Sequence, residues 1–285
     1  MSAIEHLSGP EDLEDDEREA VETLLYRLAD DEFVIAERYT EWQVRSPTLE
    51  SDLALSNIAQ DELGHARLWY DLLEDFGYTE AELLWERDPA DFRHSTMVEL
   101  PFETGDWADA IVRSYLYDEA EALRLEALED SSYPRIVDRV GKVLGEETYH
   151  REHATNWLER LAGTDDGREQ VQNAVDRVFP HALTLFEPVD PDVERRIDEY
   201  GIRTRCLDEL ATDWLDRVVP FLESQGIETP VSDSSEVTTA DLPDVRGRDG
   251  THTDEWFDLY DEFTHTYREL GRDRADRIMS DPDDA

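Results

Sequence analysis

The stretch QDELGHARLWY, Gln60 to Tyr70, places Glu62 and His65 three positions apart inside an apolar helical pattern. Side chains at i and i+3 lie on one helix face, so a carboxylate and an imidazole at this spacing can hold the same metal atom. Leu55, Ile58, Ala59, Ala66 and Trp69 share that face, so the pair points into a core. Burying a carboxylate there is costly unless something compensates it.

The Glu-x-x-His pattern occurs three times, at Glu62/His65, Glu147/His150 and Glu262/His265. With 73 acids in 285 residues, roughly one histidine in four meets an acid three residues earlier by chance. The surroundings separate the three pairs. Val140, Val143, Leu144 and Ala154 flank Glu147, with Arg151 at one edge, whereas Glu255, Asp258, Leu259, Thr266 and Glu269 flank Glu262. Two pairs therefore face a core, and the third faces water and serves as an internal control.

A carboxylate-bridged dinuclear site in a helical bundle needs one further inward acid from each of the other two helices. Glu32 lies among Leu25, Leu28, Ala29, Ile35, Ala36 and Tyr39; Asp118 lies among Ile111, Tyr115, Ala122 and Leu125. The faces of Glu119 and Glu121 read as more polar. Glu32 precedes Glu62 by 30 residues and Asp118 precedes Glu147 by 29, as a pseudo-twofold bundle requires. A single buried Glu–His pair is as well explained by a core hydrogen bond. Six residues on four apolar faces in the right order favour metal. Carboxylates with one imidazole per ion suit two ions of iron or of manganese.

Helical periodicity dominates the chain, with no convincing strand alternation. The pattern predicts helices over about 12–44, 49–76, 107–129 and 135–161, with further helices from 167 and a last one over about 253–273. Pro47 makes the first link short, residues 78–105 form a long connection, and the break at DSSYP is short again. Short, long, short is the connectivity of a ferritin-like four-helix bundle. The expected fold is all-α: one ferritin-like domain with its bundle core over about 12–163 and additional C-terminal helices and tail over about 167–285. Residues 226–250 read as an extended loop.

The net charge is −46, and Lys142 is the one lysine. Such a chain should repel nucleic acid and anionic membranes. Acid excess with almost no lysine resembles proteins of salt-loving cells, where salt screens the repulsion. Cys206 is alone, which removes disulfide and thiolate-metal frameworks, and reads as a small buried hydrophobe. The N-terminus has no secretory pattern and no apolar run reaches membrane-spanning length, so a cytoplasmic location is expected. His153 and His181 read as packing or outer residues. Arg67, Arg113 and Arg151 are candidate phosphate contacts, with none standing out.

These residues resemble the ferritin-like subunits of phenylacetyl-CoA epoxidase. The stretches SPTLESDLALSNIAQDELGHARLWYDLL, NWLERLAGTDDGREQVQNAVDRVFPHALTLFEP and GRDGTHTDEWFDLYDEF are similar to its C-type component. QDELGH and GEETYH, with Glu32 and Asp118, look like the A-type component, which in that family carries the working di-iron site; the C-type component is structural there. The resemblance implies Glu32, Glu62, His65, Asp118, Glu147 and His150 as ligands of two irons, with Glu62 and Glu147 bridging. It also implies oxygenation of an aromatic acyl-CoA, and as partners an A-type paralogue, a separate reductase and a small accessory subunit. Three functions stay open: a catalytic oxygenase component, a scaffold with a vestigial site, or an oxidase or peroxide-handling protein with no CoA substrate.

Overall fold

A computed structural model describes residues 9–43, 45–101, 105–269 and 271. Helix α1, Asp15–Thr40, opens where the Glu14 backbone N–H donates to the Glu17 carboxylate at 2.9 Å, supplying one of the partners that helix ends lack. After Pro47, the Thr48 hydroxyl accepts the Ser51 N–H and starts α2, Leu49–Glu74. The long connection carries a π turn at Ala81–Trp85, a 3-10 turn at Pro89–Asp91 and the one-turn α3, Thr96–Glu99. Asp106 and Asp109 cap α4, Trp107–Glu126, by accepting the Ala108 and Asp106 N–H groups. Pro134, at a position where a missing N–H costs nothing, opens α5, Pro134–Ala162.

α1 packs along α2 and α4 along α5, and the two pairs meet with α2 against α5. This is the four-helix bundle. α6, Asp165–Ala182, covers α4 and α5; α7, Pro191–Glu199, covers α1; α8, Leu207–Ser224, covers α4. One hydrophobic cluster runs through all of these helices and on to Trp256, Leu259 and Tyr260 of α9, Asp254–Glu269. Among the described residues there is no β-strand, and no helix is long and apolar enough to cross a membrane.

Several boundaries differ from expectation. α1 stops at Thr40 and α4 at Glu126; the Ala127 carbonyl past that end accepts the N–H and hydroxyl of Thr204. The predicted ends at Val44 and Asp273 lie outside the described residues. The 226–250 segment is extended apart from 3-10 turns at Ser234–Glu236 and Gly247–Asp249. Its end lies against the long connection, where a Cβ on Gly247 would stand 2.2 Å from the His94 carbonyl oxygen. Only glycine fits that approach. Cys206 is not the buried hydrophobe expected. It is half-buried at the start of α8, where its backbone N–H donates to Glu209, so a helix end rather than core packing sets its place.

Candidate metal centre

Three consecutive acids on α1 are fully buried, and each points a different way because successive helical side chains turn about 100°. Asp30 accepts the Tyr70 hydroxyl, Arg87 and the Arg93 N–H. Asp31 accepts Arg124 at 2.5 Å, Arg248 at 2.6 Å and the Ser95 N–H at 2.7 Å. Glu32 faces the bundle axis.

The other five predicted residues are buried with it, and all six are at most 1% exposed. His65 Nδ1 lies 3.7 Å from Glu32, 3.7 Å from Glu62 and 3.5 Å from Glu147. His150 Nδ1 lies 3.1 Å from Glu147 and 3.5 Å from Glu62. Glu62 and Glu147 thus each reach both imidazoles. Two triads of donor atoms result, Glu32/Glu62/His65 and Glu62/Glu147/His150, with Glu62 common to both. Asp118 stands outside the tight triads; one of its oxygens accepts the Ser114 hydroxyl at 2.9 Å.

Both carboxylate oxygens of Glu32 and of Glu62, Glu147 Oε2, Asp118 Oδ1 and His65 Nδ1 are buried with no hydrogen-bond partner among the described residues. Buried polar atoms are nearly always paired, so this concentration of unpartnered donor atoms is one that could hold cations. Four carboxylates with two neutral imidazoles carry the charge of two divalent ions, so the residues fit such a pair. The electrostatics of the protein alone agree. Burial, then the charges of Glu121 and Glu62, pushes Glu32 well above the usual carboxylate range. Burial and Glu147 do the same to Asp118. Burial alone would lower His65, but Glu62 and Glu147 carry it up to about 9.

Two residues that sequence reasoning missed complete the frame. His65 Nε2 pairs with Glu146 at 2.8 Å, and His150 Nε2 with Asp61 at 3.4 Å. Each acid belongs to the opposite helix and directly precedes a glutamate that reaches both imidazoles. A carboxylate on the outer nitrogen fixes the tautomer that turns Nδ1 inward, the usual support of a metal-binding histidine. In a chain this acidic, neither residue carries a sequence signal of its own. Glu121, read as lying on a polar face, is also fully buried, with one oxygen on Arg124.

The control pair behaves as expected. Glu262 and His265 are exposed, and His265 pairs with Glu269 at 3.4 Å. A different trio, His94, Glu99 and His252, is buried, with both imidazoles on Glu99 Oε2 at 2.6 and 2.8 Å. Donors bound at zinc distances would stand roughly 3.3 Å apart. The shorter separations are those of hydrogen bonds, so this trio clasps the segment before α9 to the long connection. Arg113 is buried, donating to the Leu100 carbonyl, and is no surface phosphate contact. Arg67 and Arg151 lie near Asp71 and Glu119.

A cavity of about 470 Å³ opens between the start of α2 and the end of α5, lined by Ser51, Ala54, His153, Asn156 and Trp157. His153 lies one helical turn beyond His150. Burial and the His150 charge lower it to about 4, and neither ring nitrogen has a hydrogen-bond partner among the described residues. Trp157 stacks edge-on with Trp107 at 5.4 Å.

A family model described as phenylacetic acid catabolic protein matches residues 1–272. The C-type component of the 1,2-phenylacetyl-CoA epoxidase of Escherichia coli (strain K12) is 33% identical over 62% of this chain and 71% of its own length. The A-type component of the same epoxidase is 29% identical over 67% of this chain and 62% of its own length, so the match spans less than two thirds of that relative. A helical bundle with this connectivity, matched over nearly its whole length, belongs to the phenylacetic acid catabolic protein family.

Proposed function

We propose that this chain is the ferritin-like di-iron component of a multicomponent oxygenase that epoxidises an aromatic acyl-CoA of the phenylacetyl-CoA type. The observation that carries the reading is the six-residue donor set with its unpartnered buried atoms. Glu32 and His65 would hold one ion, Asp118 and His150 the other, and Glu62 and Glu147 would bridge. Two bound irons would supply the redox chemistry that activates dioxygen. The protein's own part is positional. Glu146 and Asp61 take the outer imidazole N–H groups and keep both Nδ1 lone pairs inward. The apolar walls keep bulk water away. The cavity beside His153 and Trp157 is the approach for an apolar acyl group.

The partners in this reading are an A-type paralogue, a separate reductase and a small accessory subunit, all in the cytoplasm. A second reading, a scaffold component whose metal is structural, is favoured by the likeness to the C-type relative at 33% identity. Metal analysis of the purified chain, with Glu62→Ala and Glu147→Ala beside it, tests the first. About two irons per chain, lost in both variants, and epoxide formed when the chain is combined with its paralogue and reductase support it. Two irons retained while Glu62→Ala leaves turnover of the assembled complex unchanged would favour the scaffold. A chain that takes up no metal would refute the centre itself.

A further inference from the structure

Glu121 stands one helical turn beyond Asp118 on α4 and is fully buried. One oxygen is paired with Arg124; the other, Oε1, has no hydrogen-bond partner among the described residues. The other terminal nitrogen of Arg124 reaches Asp31 at 2.5 Å, and Asp31 also takes Arg248 at 2.6 Å. Asp31 directly precedes the predicted ligand Glu32. The group is therefore two guanidiniums and two carboxylates, neutral as a set and shut away from water. The Arg124–Asp31 bond crosses from α4 to α1 one residue before Glu32, and Glu121 lies on α4 between Asp118 and Arg124, which sets this group beside the centre.

Removing one carboxylate from such a set would leave a net positive charge beside a site meant for cations. In a dry interior that charge is poorly screened. Arg124 would also be left short of one partner, with Glu32 next in sequence to its remaining partner Asp31. We propose that Glu121 is a positioning residue of the metal centre, which occupies Arg124 and so keeps the Glu32 carboxylate free for the ion it shares with His65. This rests on reading Glu32 as a ligand. It goes beyond that reading by making the affinity of one ion depend on a buried charge balance reaching from α4 to Arg248 near the C-terminus.

The test is a manganese(II) titration of the full-length chain, followed by the EPR signal of free Mn2+. The wild type, Glu121→Gln, Glu121→Asp and the double variant Glu121→Gln/Arg124→Gln are compared, with circular dichroism and thermal unfolding beside them. Glu121→Gln keeps shape and removes only charge. One of its two ions should bind roughly 10–100-fold more weakly, with the second little changed. Glu121→Asp should recover part of the loss. The double variant should recover affinity for the first ion because the stray cation is gone, an outcome that a role in folding alone would not produce. Two ions at wild-type affinity in Glu121→Gln would overturn the proposal while leaving the metal centre standing. So would a double variant that binds no better than the single. A wild type that binds no manganese would overturn both.

Discussion

Replacing Asp31 tests the ion-pair frame that aims Glu32. Asp31→Ala removes a fully buried carboxylate that accepts Arg124, Arg248 and the Ser95 N–H. Breaking a buried pair by deleting one partner costs about 3–5 kcal/mol, because the opposite charge stays behind in low dielectric. Here Arg124 keeps Glu121, and Arg248 keeps the Arg93 and Leu185 carbonyls, so the lower end of that range, about 3 kcal/mol, is expected. Proton linkage gives a second measure. Burial raises the Asp31 carboxyl, but the two guanidiniums and the Ser95 N–H outweigh it and bring it down to about 2. An unfolded aspartate titrates near 3.9, and that gap corresponds to about 2.5 kcal/mol. Because the folded value is the lower one, this stability is present above about pH 4 and lost as pH falls towards 2. Urea unfolding at fixed salt should show the loss in Asp31→Ala at pH 7. The stability profile of Asp31→Asn between pH 5 and 2 should be flatter than that of the wild type by a similar amount. A cost below about 1 kcal/mol, or an acid limb identical in Asp31→Asn, would refute the reasoning.

Asp61→Asn and Glu146→Gln should each weaken metal binding about 10–100-fold without unfolding the chain, because the inward tautomer is no longer enforced; metal titration with circular dichroism reads both. Gly247→Ala must push its new Cβ out of a 2.2 Å contact with the His94 carbonyl, and should cost about 1–3 kcal/mol in urea unfolding. Glu262→Ala, on the exposed control pair, should leave metal content unchanged and stability within about 0.5 kcal/mol.

The bundle and its six inward residues were legible because helical spacing converts directly into faces, and an acid among leucines and alanines is conspicuous. The same logic failed at Glu121. Its face read as polar, while in three dimensions Arg124, one turn on, folds inward and is neutralised by Asp31. A charged pair that buries itself mimics a solvated surface in one dimension. Asp61 and Glu146 escaped for a related reason. Their value comes from a histidine on another helix, more than eighty positions away. The long connection held more structure than its prolines suggested, because its order is imposed from outside, by Asp30, Asp31 and the clasp of Glu99 with His94 and His252.

The run Asp30-Asp31-Glu32 acts like the teeth of a key. Two teeth engage charged partners on the connection, on α4 and near the C-terminus, and the third is left pointing at the axis. Leucines and valines would let a helix roll by a few tens of degrees and repack; fixed ion pairs do not. The angular setting of α1 is therefore indexed by charge and not by shape. It follows that the apolar side of α1 can drift in sequence, or be redesigned with residues of similar volume, without misaiming Glu32. Inserting a single residue between Asp31 and Glu32 would swing the third tooth by about 100°, and the buried Phe33, Val34, Ile35 and Tyr39 behind it with it, so it would empty one corner of the centre and cost core packing as well.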